Sequence, residues 1–161
     1  MLALFLLAAA LVTASASAAS PRAKVLVRVT SVGGVLADAR GRTLYSYAAD
    51  NGRTPACYGA CASLWPPFLT SATPITGIGA KAKLLGTTKR KDGKLQVTYA
   101  GHPLYFFSGD AKAGQLKGQG YQSSWWALAA SGAKVKKTAT TSTTPPPPTT
   151  TTTPGYGNGG Y

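Results

Sequence analysis

Leu44-Tyr45-Ser46-Tyr47-Ala48-Ala49-Asp50 is answered sixty positions later by Leu104-Tyr105-Phe106-Phe107-Ser108-Gly109-Asp110. The same offset carries Gly41 onto Gly101 and Trp65 onto Trp125. A register kept across a glycine, a leucine, a tyrosine, an acid and a tryptophan marks two related halves, and a repeated element means shared architecture before shared chemistry. In an extended chain successive side chains alternate between faces. Tyr45 and Tyr47 therefore share one face, Tyr105 and Phe107 share the equivalent face, and Leu44 and Leu104 point the other way. Buried aromatics cover about 150–250 Å² each, so these faces can supply much of a small core. Trp65 and Trp125 are read as core or interlayer aromatics, with stacking platforms for a ligand as the alternative. Asp50 and Asp110 follow the strands, where an Asp fixes a turn by accepting backbone N–H groups; a ligand-binding role for the pair is the alternative.

Outward from the repeat the pattern stays strand-like. Val25-Leu26-Val27-Arg28-Val29 is β-branched and alternating. Val35 to Ala37, a turn at Asp38-Ala39-Arg40-Gly41, and Thr43 to Tyr47 read as a hairpin. Leu84 to Lys89 and Leu95 to Tyr99 flank the turn Lys91-Asp92-Gly93-Lys94. Ala100-Gly101-His102-Pro103 turns into a strand over Leu104 to Phe107, and Ser124 to Leu128 forms the last strand. Only Ala60 to Leu64 suits a helical turn. The fold class expected is all-β or β-dominated, with two related hairpin-based halves packed about a pseudo-twofold. The repeats run over about 32–70 and 92–130.

The ends differ from this domain. Leu2 to Val12 is apolar without a charge, shorter than the roughly 20 residues a membrane span needs. Ala14-Ser15-Ala16 and Ala16-Ser17-Ala18 fit an A-x-A cleavage site, so residues 1–19 read as a secretory signal peptide. No cysteine follows it, so a soluble exported protein without a lipid anchor is expected. Residues 138–161 are first Thr, Ser and Pro, then Gly-Tyr-Gly-Asn-Gly-Gly-Tyr; that composition predicts a disordered tail. One domain remains, over about 22–135. Seventeen Lys and Arg oppose four Asp, with no Glu, for a net charge of +13. Outside the cell such a balance points to anionic cell-wall polymers or a membrane surface as partners. Lys89-Arg90-Lys91 and Lys134-Val135-Lys136-Lys137 are the two clusters. Neither is interleaved with aromatics as a single-strand groove is, so no specific nucleic acid is expected.

Cys57 and Cys61 are the two cysteines of the chain. An even count at close spacing in an oxidising compartment predicts a disulfide. Haem attachment fails on spacing and on Ala62 standing where a His is required, and a redox pair ordinarily has two intervening residues. A soft-metal site would use both thiolates with His102 but lacks a nameable further ligand. Catalysis finds no footing. His102 is the single histidine, no serine lies in a Gly-x-Ser-x-Gly elbow, and Asp38, Asp50, Asp92 and Asp110 all read as turn residues. The Gly114-to-Gly120 stretch lacks the Gly-Lys-Ser/Thr ending of a phosphate loop and reads as a flexible connection. No catalytic residue, metal or cofactor is assigned.

Tyr45-Ser46-Tyr47-Ala48-Ala49-Asp50 and Tyr105-Phe106-Phe107-Ser108-Gly109-Asp110 resemble the Tyr-x-(Phe/Trp/Tyr)-x-x-Asp motif of a bacterial secreted-repeat and lipoprotein family of unknown function. The Cys57-to-Pro67 segment, Cys-x-x-x-Cys-x-x-x-Trp-Pro-Pro, is similar to that family's, as is Asp92-Gly93 through Gln96-Val97-Thr98-Tyr99 to Tyr105. The resemblance covers about Val32 to Leu128. It implies an exported location and transfers no activity. The function expected is an exported, non-catalytic cell-envelope binding or structural module. The alternative is an envelope redox, metal- or cofactor-binding protein.

Overall fold

Val25 lies near the start of a strand that enters the core at one end and leaves it at the other. Its side chain is fully buried, Val27 is half-buried and Val29 is exposed. This strand, β1 (Lys24–Thr30), turns through Ser31 and Val32 into the antiparallel β2 (Gly33–Asp38). The computed structural model describes residues 22–137; the expected signal peptide and tail lie outside the described residues. Then follow β3 (Tyr45–Tyr47), the helix α1 (Ala60–Leu64), β4 (Leu69–Thr70), β5 (Ile75–Thr76), a 3-10 turn at Ala82–Leu84, β6 (Leu85–Lys89), β7 (Leu95–Tyr99), β8 (His102–Pro103), a second 3-10 turn at Tyr121–Ser123, and β9 (Trp125–Ala127). The domain is strand-dominated, as its alternation predicts.

Three sheets result: β2-β1-β5, the pair β3-β9, and β4-β7-β6 with β8 also on β7. Turn chemistry sets the connections. Gly93 closes the β6–β7 hairpin at φ 80°, with Arg90 N–H donating to Lys94 O at 2.9 Å. Ala100 and Gly101 both have positive φ, as the two-residue turn between β7 and β8 requires.

The expected hairpin of Val35–Ala37 with Thr43–Tyr47 forms only at its base. Thr43 bridges Ala37, and Leu44 N–H donates to Leu36 O at 2.9 Å. Beyond that point β3 leaves its own half and pairs with β9, Tyr45 opposite Ala127. The expected strand Leu104–Phe107 is likewise reduced to a bridge at Tyr105, which pairs with Pro67 and Tyr45. Each motif strand thus takes its partner from the other half. Ala48 N–H donates to Ser124 O at 2.8 Å, and its counterpart Ser108 N–H donates to Leu64 O at 3.0 Å. Side-chain alternation could not foresee this, because it fixes which face a residue uses and not which strand lies beside it.

Two cores follow from the alternation. Leu36, Leu44, Leu104, Leu128, Val25, Val97, Tyr99 and Phe68 form the aliphatic one. Val35, Tyr45, Tyr105, Trp65, Trp125 and Cys57 form the aromatic one. Neighbours in sequence, Leu44 with Tyr45 and Leu104 with Tyr105, are fully buried and divide between the two.

Candidate functional site

The motif tyrosines and aspartates meet across the seam between halves. Tyr45 N–H donates to Tyr105 O and Tyr105 N–H donates to Tyr45 O, both at 2.9 Å. The side chains cross in the same way. The Tyr45 hydroxyl donates to Asp110 Oδ2 at 2.7 Å, and the Tyr105 hydroxyl donates to Asp50 Oδ1 at 3.1 Å. Each carboxylate also holds its own loop: Asp50 Oδ1 accepts Ala56 N–H at 2.8 Å, and Asp110 Oδ1 accepts Lys117 N–H at 2.9 Å. The motif Asp is therefore a turn residue and a cross-seam acceptor at once. The tyrosine and acid spacing within each copy serves a partner in the other copy.

Burial shapes the electrostatics of these clamps. It pushes the Asp50 carboxyl up to about 6, against the lowering effect of Ala56 N–H, the Tyr105 hydroxyl and the charges of Arg90 and Lys134. Asp50 Oδ2 is buried and has no hydrogen-bond partner among the described residues. Burial also raises the Asp110 carboxyl. Both tyrosine hydroxyls are raised, by burial first and by the carboxylate each faces. They are donors at any ordinary pH.

The aromatic motif residues extend the reciprocity. Tyr47 stacks on Trp125 at 4.1 Å, Trp125 on Trp65 at 3.8 Å and 2°, and Trp65 tilts on Phe107 at 4.5 Å. The halves alternate along this four-ring column. Tyr45 meets Trp65 edge-on at 5.4 Å, and Tyr105 meets Trp125 edge-on at 5.3 Å. Trp65 and Trp125 are 2% and 3% exposed, so neither indole is open for stacking on a ligand. A pocket of about 160 Å³ opens beside Asp110, between Arg42, Pro66 and Phe106.

Cys57 and Cys61 form the disulfide, with Cα atoms 5.3 Å apart, and Gly59 inside the ring takes φ 54° at the start of α1. Arg90 anchors this ring. Its Nη1 donates to Gln96 Oε1 at 2.6 Å and its Nη2 to Cys57 O at 2.9 Å, while its guanidinium lies 4.3 Å over the Tyr58 ring. Gln96 Nε2 continues to Leu104 O at 2.8 Å. Lys89-Arg90-Lys91 is therefore no continuous basic patch, because Arg90 is only 4% exposed between two exposed lysines. Sequence reasoning missed Arg90 and Gln96 as structural residues. A basic residue at a hairpin tip carries no local signal that its head turns inward. His102 is half-buried at the β7–β8 turn, where burial and then Lys134 lower its pKa.

Among the described residues, the carboxylates with cationic partners are Asp38, which takes the Arg42 guanidinium at 2.8 Å, and Asp92, which Arg90 reaches at 3.5 Å. Among the described residues, no three His, Cys, Asp or Glu side chains come together as a metal would need. Among the described residues no helix is long and apolar enough to cross a membrane.

Two repeats of this construction carry a family match. The family model Lipoprotein_15, described as a secreted repeat of unknown function, matches residues 27–68 and 86–129. The chain belongs to the Lipoprotein_15 family. Its two matched segments contain both Tyr–Asp motifs, the repeat-related Trp65 and Trp125, and the disulfide, so the Lipoprotein_15 repeat is the unit that exchanges strands here. Each segment begins earlier than the expected 32–70 and 92–130, the first within β1 and the second within β6. No curated protein and no solved structure gave a significant match to this Lipoprotein_15 chain.

Proposed function

We propose that this chain is an exported, non-catalytic module that associates with anionic polymers of the cell envelope. The observation carrying this reading is the disposition of charge. Seventeen cations face four acids, and among the described residues all but two of the cations have no carboxylate within ion-pairing distance. The acids are committed to the fold. Asp38 holds Arg42 and a turn, Asp50 and Asp110 hold tyrosines and loops, and Asp92 accepts Lys94 N–H at 3.2 Å. A strand scaffold stapled by a disulfide thus presents a surface whose charge is nearly all of one sign. Such a field raises the local concentration of polyanions and speeds their capture.

The test is retention of the folded domain on immobilised polyphosphate and on purified anionic wall polymer. Retention at about 0.01 M salt and release at about 1 M is expected, since the screening length falls from about 30 Å to about 3 Å. Flow-through at low salt, or retention indifferent to salt, would end the reading.

A further inference from the structure

β5 and β6 are both edge strands, and a single cleft of about 510 Å³ lies between them. Thr73, Ile75 and Thr76 line one wall, and Leu85, Gly86 and Thr87 the other. The volume is that of a small-ligand site, about 300–1,000 Å³. The walls are unusual in that both present backbone without a partner.

The ladder parity says which groups these are. Ala100 N–H donates to Leu84 O at 2.7 Å and Arg90 N–H to Lys94 O at 2.9 Å, so both flanking pairs are hydrogen-bonded ones. In an antiparallel ladder such pairs alternate with pairs whose backbone groups point away. Leu85, Thr87 and Lys89 therefore turn their backbone from β7 toward the open edge. On the other wall, Ile75 and Gly77 donate to Ala23 O and Val25 O of the β1 segment at 2.9 and 2.7 Å. Thr76 lies between them and points its N–H and C=O outward. No hydrogen bond within the described residues involves the backbone N–H or C=O of Thr76, nor those of Thr87 or Lys89 that face the edge.

We infer that this cleft is a docking site for an extended peptide strand of alternating apolar and acidic residues. The strand would pair with β5 on one side and β6 on the other, making one continuous sheet of the two. The choice of occupant rests on two observations. An acyl chain or other apolar ligand would cover the free backbone groups of both walls without satisfying them, at a desolvation cost. A peptide satisfies them through its own amides, the mode of recognition in strand addition. Charge then selects the side chains. Lys81 and Lys83 flank Ala82 of the lining, Lys94 precedes Leu95, Lys24 pairs with Ile75, Lys89 pairs with Leu95, and no acid lines the cleft. Lysines on an edge also guard against pairing with another copy. A second copy of this +13 chain is therefore repelled where an acidic partner is drawn in. Apolar residues of the strand would lie over Leu85 and Leu95 on one face, and its acids, on the other face, would lie in the field of the lysines that surround the cleft. The inference stands apart from the polyanion reading, which needs charge and no cleft.

The probe is the capped peptide Val-Glu-Val-Glu-Val-Glu-Val, titrated into the isotope-labelled whole domain. The comparison peptide has alternate amides N-methylated and so has the same charge but cannot donate to the edges. Saturable binding that slows amide exchange at Thr76, Thr87 and Lys89, and weakens about tenfold or more with the methylated peptide, is expected. Thr87→Pro should weaken the peptide likewise while leaving polyphosphate retention intact, because proline is tolerated on an edge strand where its N–H was free. Equal binding of the two peptides would reduce the site to a cationic surface and overturn the inference. So would no binding, displacement of the peptide by a fatty-acid anion, or exchange protection that appears without peptide as the protein is concentrated. The methylated peptide decides the matter on the native chain even if the proline variant misfolds.

Discussion

Asp50 is the residue whose position dictates how stability responds to pH. Its folded pKa is raised from 3.8 to about 6 by burial, so between those values the folded state binds more protons than the unfolded one. Stability is then greatest at the acid end of that window and falls as pH rises through about 6. Asp110 is raised too and contributes in the same direction. Urea midpoints across that range should decline, and Asp50→Asn, which keeps an acceptor for Tyr105 and Ala56, should flatten the slope. A slope unchanged in the variant would assign it elsewhere. Arg90 offers a sharper contrast with its neighbour. Arg90→Met leaves Gln96 Oε1 and Cys57 O without their donor and should cost about 1.5–3 kcal/mol, the scale of hydrogen bonds to a charged group. Lys91→Met, on the exposed tip, should stay within about 0.5 kcal/mol. Chemical denaturation of both variants measures the difference.

At the scale of elements, the aromatic column limits what the loops may carry. Gly118 packs so near the column that a Cβ there would lie 2.7 Å from Trp65 Cη2 and 3.1 Å from Phe107 Cβ. Its neighbours are a buried indole and a motif ring, which cannot swing aside without unstacking Trp65 from Trp125. Gly118→Ala should therefore destabilise by about 1–3 kcal/mol, as overpacking of a dense core does. Near-ultraviolet circular dichroism should change with it. The glycine-rich stretch from Gly114 to Gly120 reads in the sequence as a flexible connection. In the fold part of it is a close-packed lid on the column, and Gly114 N–H is itself tied to Gly41 O at 2.9 Å.

For the whole molecule, the exchange of strands makes each half incomplete. Residues 22–84 alone would lack β9, the Asp110 acceptor for Tyr45 and the Trp125 face for Tyr47. Residues 85–137 alone would lack Pro67, the Asp50 acceptor for Tyr105 and the Trp65 face for Phe107. Neither fragment should show a cooperative thermal transition, and an equimolar mixture should regain one together with the tyrosine and tryptophan signals of the intact domain. A single fragment that melts cooperatively would show that its own contacts suffice.

The sequence by itself determined the strand-dominated class, the two related halves, the turn positions at Gly41, Gly93 and Gly101, and the opposite facing of Leu44 and Tyr45. These are local properties. Alternation, positive-φ glycines and a repeated register act over a few residues and leave their mark in the letters. Which strands pair, that the motif Asp of one half accepts the motif Tyr of the other, that Arg90 turns inward under the disulfide ring, and that two sheet edges face each other across a cleft were decided only by the tertiary structure. A repeat says that its copies resemble each other, and the same letters serve equally whether each copy closes on itself or on its neighbour. Closure on the neighbour lets each motif tyrosine hydroxyl, on Tyr45 and Tyr105, find an acceptor and stacks Trp65 on Trp125, and those are contacts between residues far apart in the chain.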